Sequence, residues 1–194
     1  MTLRFRPQRE LWPLVDRAFQ VHSREIRILV RCAQVEHVGA TAIAGSLTKG
    51  DVDLLVRVPR DAFAAAVDAL RERYTVEQPA NWTQTFASFG EEGGSLPVGV
   101  QLVVVGSNVD VAFGSLRRLF RTRPDLVERS NELKRRFEGG DPTTYARAKQ
   151  GLLEAALREL DPGRFGQGTW PWPDDYTGRP ISTARTTSPL RSPP

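Results

Sequence analysis

The sequence predicts an α+β fold, a small mixed β-sheet with a C-terminal helical cap. Three observations predict it. Residues 8–33, "QRELWPLVDRAFQVHSREIRILVRCA", repeat apolar side chains at steps of three and four, the period of an amphipathic helix. "DVDLLVRV" and "VGVQLVVVG" are short runs rich in β-branched residues, which read as strands with buried faces. From about Asp110 onward the three-to-four spacing returns and holds to Leu160. Helix, strand and helix in that order, with a strand pair between, pack as helices against a small sheet.

Each element has a local reason. In the first helix Leu11, Leu14, Val15, Ala18, Phe19, Val21, Ile26, Leu29 and Val30 form the apolar set. Pro13 is tolerated only near the first turn, so the regular helix is expected to start close to it. "QVEHVG" is a short strand, and "TAIAGSL" a helical turn with Thr41 placed as its N-cap. The "DVDLLVRV" strand stops at Pro59. Asp61 caps the following helix, whose stripe is Phe63, Val67 and Leu70. "WTQTFASFG" alternates, "EEGGS" turns, and "VGVQLVVVG" returns, which together read as a hairpin. One helix then runs to Pro124, and a second starts with Pro124 in its first turn and ends at Gly139-Gly140. A third opens on Asp141 as cap with Pro142 at the first helical position.

Residues 161–194 differ in kind. They hold seven of the fourteen prolines in 34 positions, among many Gly, Ser and Thr. A chain of that composition cannot bury enough apolar surface to order itself. The division is therefore a domain over 1–160 and a Pro-rich, largely disordered tail over 161–194, in which Trp170, Trp172 and Tyr176 are candidates for docking. No internal repeat is present.

Composition narrows the function. The chain has 194 residues, enough for one domain with a real core. Its 40% apolar and 26% charged content is that of a globular protein, and no stretch approaches the length of a membrane span. The N-terminus lacks a signal-peptide pattern. A single cysteine, Cys32, leaves no internal disulfide and no cysteine-built zinc site, and two histidines leave no His-rich metal site. These features predict a cytoplasmic location without membrane partners. A net charge of +4 mildly favours polyanionic ligands, nucleotides and nucleic acid included, but no nucleic-acid module accompanies the basic run Arg117, Arg118, Arg121 and Arg123.

The chemistry concentrates in residues 35–58, "VEHVGATAIAGSLTKGDVDLLVRV". On a strand, residues two apart share a face, so Asp51 and Asp53 are expected to project together. Two carboxylates that close repel each other unless a cation lies between them. A hard divalent ion such as Mg²⁺ (or Mn²⁺) takes carboxylate oxygens and accepts phosphate oxygens as further ligands. Such ions position the attacking and leaving oxygens of a phosphoryl displacement. Gly39 lets a phosphate approach the backbone, and the amides after it favour an anion. The Thr41 hydroxyl is expected to add a hydrogen bond, with Lys49 and Arg57 as nearby cations. His37 is read either as a substrate contact or as a half-buried histidine bonded to backbone.

Val38-Gly39-Ala40 followed by Asp51-Val52-Asp53 resembles the signature of the DNA polymerase β-like nucleotidyltransferase superfamily. Within it the chain is similar to the GrpB-like family. Glu36, His37, Gly39, Thr41, Ala42, Gly45, Lys49 and Asp53 fall in register with the family's N-terminal pattern. Arg121, Pro124, Leu133, Lys134, Asp141, Tyr145 and Lys149 fall on its C-terminal one. The likeness spans about residues 7–160.

The resemblance implies a nucleotidyltransferase-like core over 1–160. It implies Asp51 and Asp53 as catalytic metal ligands, with Gly39, Ala40 and Thr41 around the phosphates. Lys49, Lys134 and Lys149 would offset charge, and Tyr145 is read either as stacking on a base or as a core tyrosine beside a solvated Lys149. Three departures stand out. Asp51 occupies a position usually apolar in the family, Ala40 replaces a serine, and the third acid expected on the central strand is missing. That strand offers Gln101, while Glu91 and Glu92 lie at the hairpin turn.

The expected activity is Mg²⁺-dependent transfer of a nucleoside monophosphate from an NTP substrate to an unknown small-molecule or macromolecular acceptor. The alternatives are a catalytically inactive nucleotide-binding protein of the same fold, and an accessory or regulatory domain. GrpB-like domains also occur fused to dephospho-CoA kinase, but this chain has no P-loop and is not itself that kinase.

Overall fold

In the computed structural model, which describes residues 2–166, the apolar runs assemble into one sheet covered on both faces. After a two-residue strand β1 (Arg6–Pro7), helix α1 spans Gln8–Leu29. Then come β2 (Gln34–Val38), a 3₁₀ turn over Ala40–Ala42, β3 (Leu47–Thr48) and β4 (Val52–Val58). Helix α2 is Phe63–Arg71, and β5 (Thr75–Glu77), β6 (Phe86–Glu91) and β7 (Val98–Val104) follow. The C-terminal half is α3 (Asn108–Thr122), α4 (Pro124–Arg136), α5 (Pro142–Leu160) and the single turn α6 (Pro162–Phe165).

The five-stranded sheet has the order β2-β4-β7-β6-β5, with β4 and β7 parallel and every other pair antiparallel. It is the mixed sheet the sequence predicts. β1 and β3 form a separate two-stranded ribbon.

Alternation along β4 and β7 divides the core in two. Val52, Leu54, Val56 and Val58, with Val98, Val100 and Leu102, pack under α1 and α2 around Val15, Ile26 and Leu70. The other face carries Leu55, Phe86 and Val103, packed under α3, α5 and α6 around Leu116, Leu119, Leu157 and Phe165. Asp53 is registered beside Val38 and Gly99, and Leu55 beside Gln101, so Asp53 and Gln101 belong to this second face.

Several boundaries differ from the sequence expectations for identifiable reasons. α1 begins at Gln8, five residues before Pro13, because Pro7 supplies the start. The carbonyl that Pro13 leaves without a helical donor belongs to Arg9, which is exposed and can meet water. Asp61 does not cap α2; it lies in a 3₁₀ turn over Arg60–Ala62 and the helix starts at Phe63. The first hairpin strand begins at Phe86, since Thr83 and Phe86 form an isolated bridge that turns the chain just before it. The cap of α5 is the expected one, Asp141 accepting from the Thr144 amide at 2.7 Å with Pro142 next to it; α3 starts two residues early, at Asn108, because Ser107 accepts from the Asp110 amide.

The tail boundary also shifts. Residues 161–166 belong to the domain, since Phe165 is buried in the second core. The expectations for residues 167–194, including docking by Trp170, Trp172 and Tyr176, lie outside the described residues. Among the described residues no helix is long and apolar enough to cross a membrane.

Candidate functional site

The end of β2 and the start of β4 are neighbours, and the backbone must turn sharply after Val38 to bring the 3₁₀ turn over the sheet. Gly39 makes that turn with φ +75° and ψ −173°, a conformation essentially restricted to glycine. A Cβ on Gly39 would overlap the Asp53 carboxylate and lie 3.0 Å from its Cγ. The acid therefore sits directly against the bare backbone of the turn. Both border a cleft of about 250 Å³ between the sheet and the helical cap.

Asp51 borders the same cleft from just outside β4, which starts at Val52. The two acids do face one cavity, but from a loop and a strand rather than from one strand face. Asp51 is already neutralised by Lys49, whose Nζ lies 2.9 Å from Oδ2. Lys149 reaches in from α5. Enclosure by the walls pulls its ammonium below the usual lysine range, Asp53 pushes it back up, Lys49 depresses it further and Asp51 raises it; part of its chain stays exposed. Gln101 also lines the cleft, and its Oε1 is buried without a hydrogen-bond partner among the described residues.

Thr41 is not where the sequence reading puts it. It caps no helix and does not line the cleft. Its fully buried hydroxyl donates to the Asp51 carbonyl at 2.9 Å. Because that proton is committed, the contact at 3.0 Å with His37 Nε2 has the imidazole donating. His37 is thereby fixed as the neutral Nε2–H tautomer. Burial holds its pKa down to about 4, with Asp16 opposing and Arg117 adding to the shift. His37 lies on the sheet face opposite Asp53, stacked on Phe19 at 5.1 Å, so it supports the loop rather than touching a ligand. Replacing Thr41 by valine strands the Asp51 carbonyl and the imidazole N–H. A loss of about 2 kcal/mol is expected in urea unfolding, the usual cost of orphaned buried polar groups.

Other candidates are also reassigned. Arg57 is held by Asp110 through two contacts of 2.6 and 3.0 Å and by Glu36, and it does not reach the cleft. Glu91 pairs with Arg73 and, registered beside Val98, lies on the α1 face. Tyr145 lines the cleft, but its ring is packed edge-on by Phe5 at 5.2 Å and against Phe137 at 5.9 Å, which marks a wall rather than a stacking platform. Lys134 is 4% exposed and donates to Ser46 Oγ at 2.9 Å and to the Leu47 carbonyl at 2.7 Å. Ala40 lines the cleft.

The sequence reading missed the apolar wall. Phe113, Leu116 and Phe120 of α3 border the cleft together with Arg117 and Arg121. Their spacing of three and four is the signal that could have found it. Among the described residues no group of three or more His, Cys, Asp or Glu is placed to hold a metal ion.

Comparison with known proteins agrees with this architecture. The family described as "GrpB protein" matches residues 5–159. A UPF0157 protein of Vibrio cholerae serotype O1 is 30% identical over 142 residues, 73% of this chain and 75% of that protein. The crystal structure of conserved protein GrpB from Enterococcus faecalis superposes with a TM-score of 0.62 at 14% identity, covering 76% of this chain and 95% of that one. With the Gly39 turn, the acidic strand and the helical cap all inside the matched span, the chain belongs to the GrpB family, a branch of the nucleotidyltransferase-like superfamily.

Proposed function

We propose that the cleft binds a nucleoside triphosphate together with a divalent cation and transfers the nucleoside monophosphate to a hydroxyl-bearing acceptor. The observation that carries this reading is the seating of the Asp53 carboxylate against Gly39 at the mouth of a charged cleft. Among the described residues Lys49, Lys149, Arg117 and Arg121 border it against Asp51 and Asp53, so even without Lys134 the basic groups outnumber the acids and a polyanion is favoured.

The donor set suits a hard cation. Two carboxylates and the orphaned Gln101 carbonyl oxygen are oxygen donors of the kind Mg²⁺ and Mn²⁺ take. With no third acid, and Lys49 on Asp51, they fit an ion that shares its coordination with substrate phosphates. Asp51 and Asp53 would hold it, and it would neutralise charge building on the transferring phosphate. The protein's own part is to orient. Gly39, lacking a side chain, makes room for the Asp53 carboxylate beside the turn, and Lys49 and Lys149 would offset charge developing on the leaving group. In the transfer the acceptor oxygen bonds to the α-phosphorus. The bond to the bridging oxygen breaks, pyrophosphate leaves, and the hydroxyl proton goes to solvent.

A second reading, nucleotide binding without turnover, is favoured by one observation. The central strand presents Gln101, a neutral amide, instead of an acid. Incubation with α-labelled NTPs, Mg²⁺ or Mn²⁺ and a cell extract separates the two. Transfer of label that disappears in Asp53→Asn supports the enzyme. Saturable Mg²⁺-dependent binding without transfer, weakened at least about tenfold in that variant, supports the binding protein. No binding in either protein overturns both.

A further inference from the structure

Part of the cleft lining is apolar. It comprises Ile43 of the loop after the 3₁₀ turn, Leu116 and Phe120 of α3 and Leu153 of α5. The turn itself contributes methyl groups, Ala40 and Ala42, where a hydroxyl would have served a phosphate. Leu116 and Phe120 are 8% and 9% exposed and anchored in the second core, so this wall is preformed. Apolar side chains enclosing a cavity favour a ligand that brings apolar surface of its own.

The same helix presents the opposite character one position on. Arg117 and Arg121 follow Leu116 and Phe120, and all four border the cleft. Arg117 is braced by Glu36 at 3.2 Å. Arg121 is exposed at the mouth. A planar guanidinium one helical turn from another, above an apolar wall, matches a small molecule with an anionic head and an apolar body. The four apolar side chains themselves offer no donor or acceptor to the polar edge of a nucleobase; the polar groups beside them are Arg117, Arg121 and Gln150.

We infer that the α3–α5 end of the cleft binds an amphipathic organic anion, an alkyl or aryl group bearing a phosphate or carboxylate, through Arg121 and the apolar wall. As the acceptor's site this rests on the transfer reading above; as a binding site it does not.

A homologous series tests it. Ethyl, butyl, hexyl and octyl phosphate are titrated against the full-length chain by calorimetry, with inorganic phosphate as reference. Each buried methylene is expected to tighten binding roughly fourfold until the cavity is filled. Arg121→Ala should weaken the whole series by a similar factor and leave the increment per methylene unchanged. Leu153→Ser and Ile43→Ser, at half-buried positions, should flatten the increment while keeping the affinity for inorganic phosphate. Binding that does not depend on chain length, or an increment that survives both serine variants, overturns the inference. Titration of ATP with Mg²⁺ in parallel keeps the two readings apart. Loss of ATP binding alone sinks the nucleotide proposal and leaves this site standing, whereas length-independent binding with intact ATP affinity does the reverse.

Discussion

Gly39→Val is expected to destabilise the domain by about 4 kcal/mol and to abolish Mg²⁺-dependent nucleotide binding in whatever remains folded. Two costs combine. The backbone at φ +75° and ψ −173° lies where only glycine is comfortable, which alone costs about 1–3 kcal/mol for another residue. The new side chain also meets the Asp53 carboxylate; turning the carboxylate aside leaves the Asp53 Cβ 3.1 Å away, held by its strand register beside Val38 and Gly99. Gly39→Ala takes the same strain and the first atom of the same overlap, so it should fall between wild type and valine. Urea unfolding reads the first effect, and calorimetry with ATP and Mg²⁺ on the folded fraction reads the second. Alanine tolerated with less than about 1 kcal/mol lost would show that the turn relaxes and that the acid is not seated as described.

That result bears on how much of the site was written in the sequence. Gly39 and Asp53 were legible because each answers to a local rule. A glycine marks a backbone that must turn or admit something close, and an acid two residues into an apolar run marks a face. The strands and helices were legible for the same reason, since their periods are local. What could not be read was the partner each polar side chain would choose after folding. Arg57 was within reach of a phosphate in sequence but meets Asp110, 53 residues away, across the sheet. Thr41 sits beside the Gly39 turn, yet the Asp51 carbonyl claims its proton. Asp51 was placed on the strand, but the ladder begins one residue later, when the Val52 amide donates to the Pro97 carbonyl. The apolar wall of α3 was visible as a helical stripe, and only the position of α5 shows that part of that stripe borders a cavity instead of core.

Lys134 carries the other large effect. It and Asn131 sit one turn apart on α4 and hold the segment leading into the site. Asn131 accepts from the Leu47 amide at 2.8 Å and donates to the Gly45 carbonyl at 2.9 Å, while Lys134 holds Ser46 and the Leu47 carbonyl. Beyond that clamp the chain runs through Thr48 to Lys49 and Asp51. Burial, helped by the charge of Lys149, brings the Lys134 pKa down to about 7. A neutral amine still has two protons for its two acceptors, so losing the charge does not open the clamp. The sign of the pH dependence follows. The unfolded chain keeps its lysine protonated up to its ordinary value near 10.5, so between about pH 7 and that value it binds more protons than the folded one. Stability therefore rises with pH across this window, by at most roughly 1.4 kcal/mol per unit from this group, and the contribution is flat below about pH 7, where both states are charged. Lys134→Met removes the titration at similar volume. Its urea stability, measured from pH 6 to 9, should lose most of that upward slope relative to wild type. Lys134→Ala adds a cavity and takes one of two donors from the Leu47 carbonyl, which keeps the Ser46 hydroxyl at 3.0 Å, and is expected to cost about 3 kcal/mol at pH 7. Equal slopes in wild type and Lys134→Met would mean that the amine titrates alike in the folded and unfolded chain and is not desolvated by the fold.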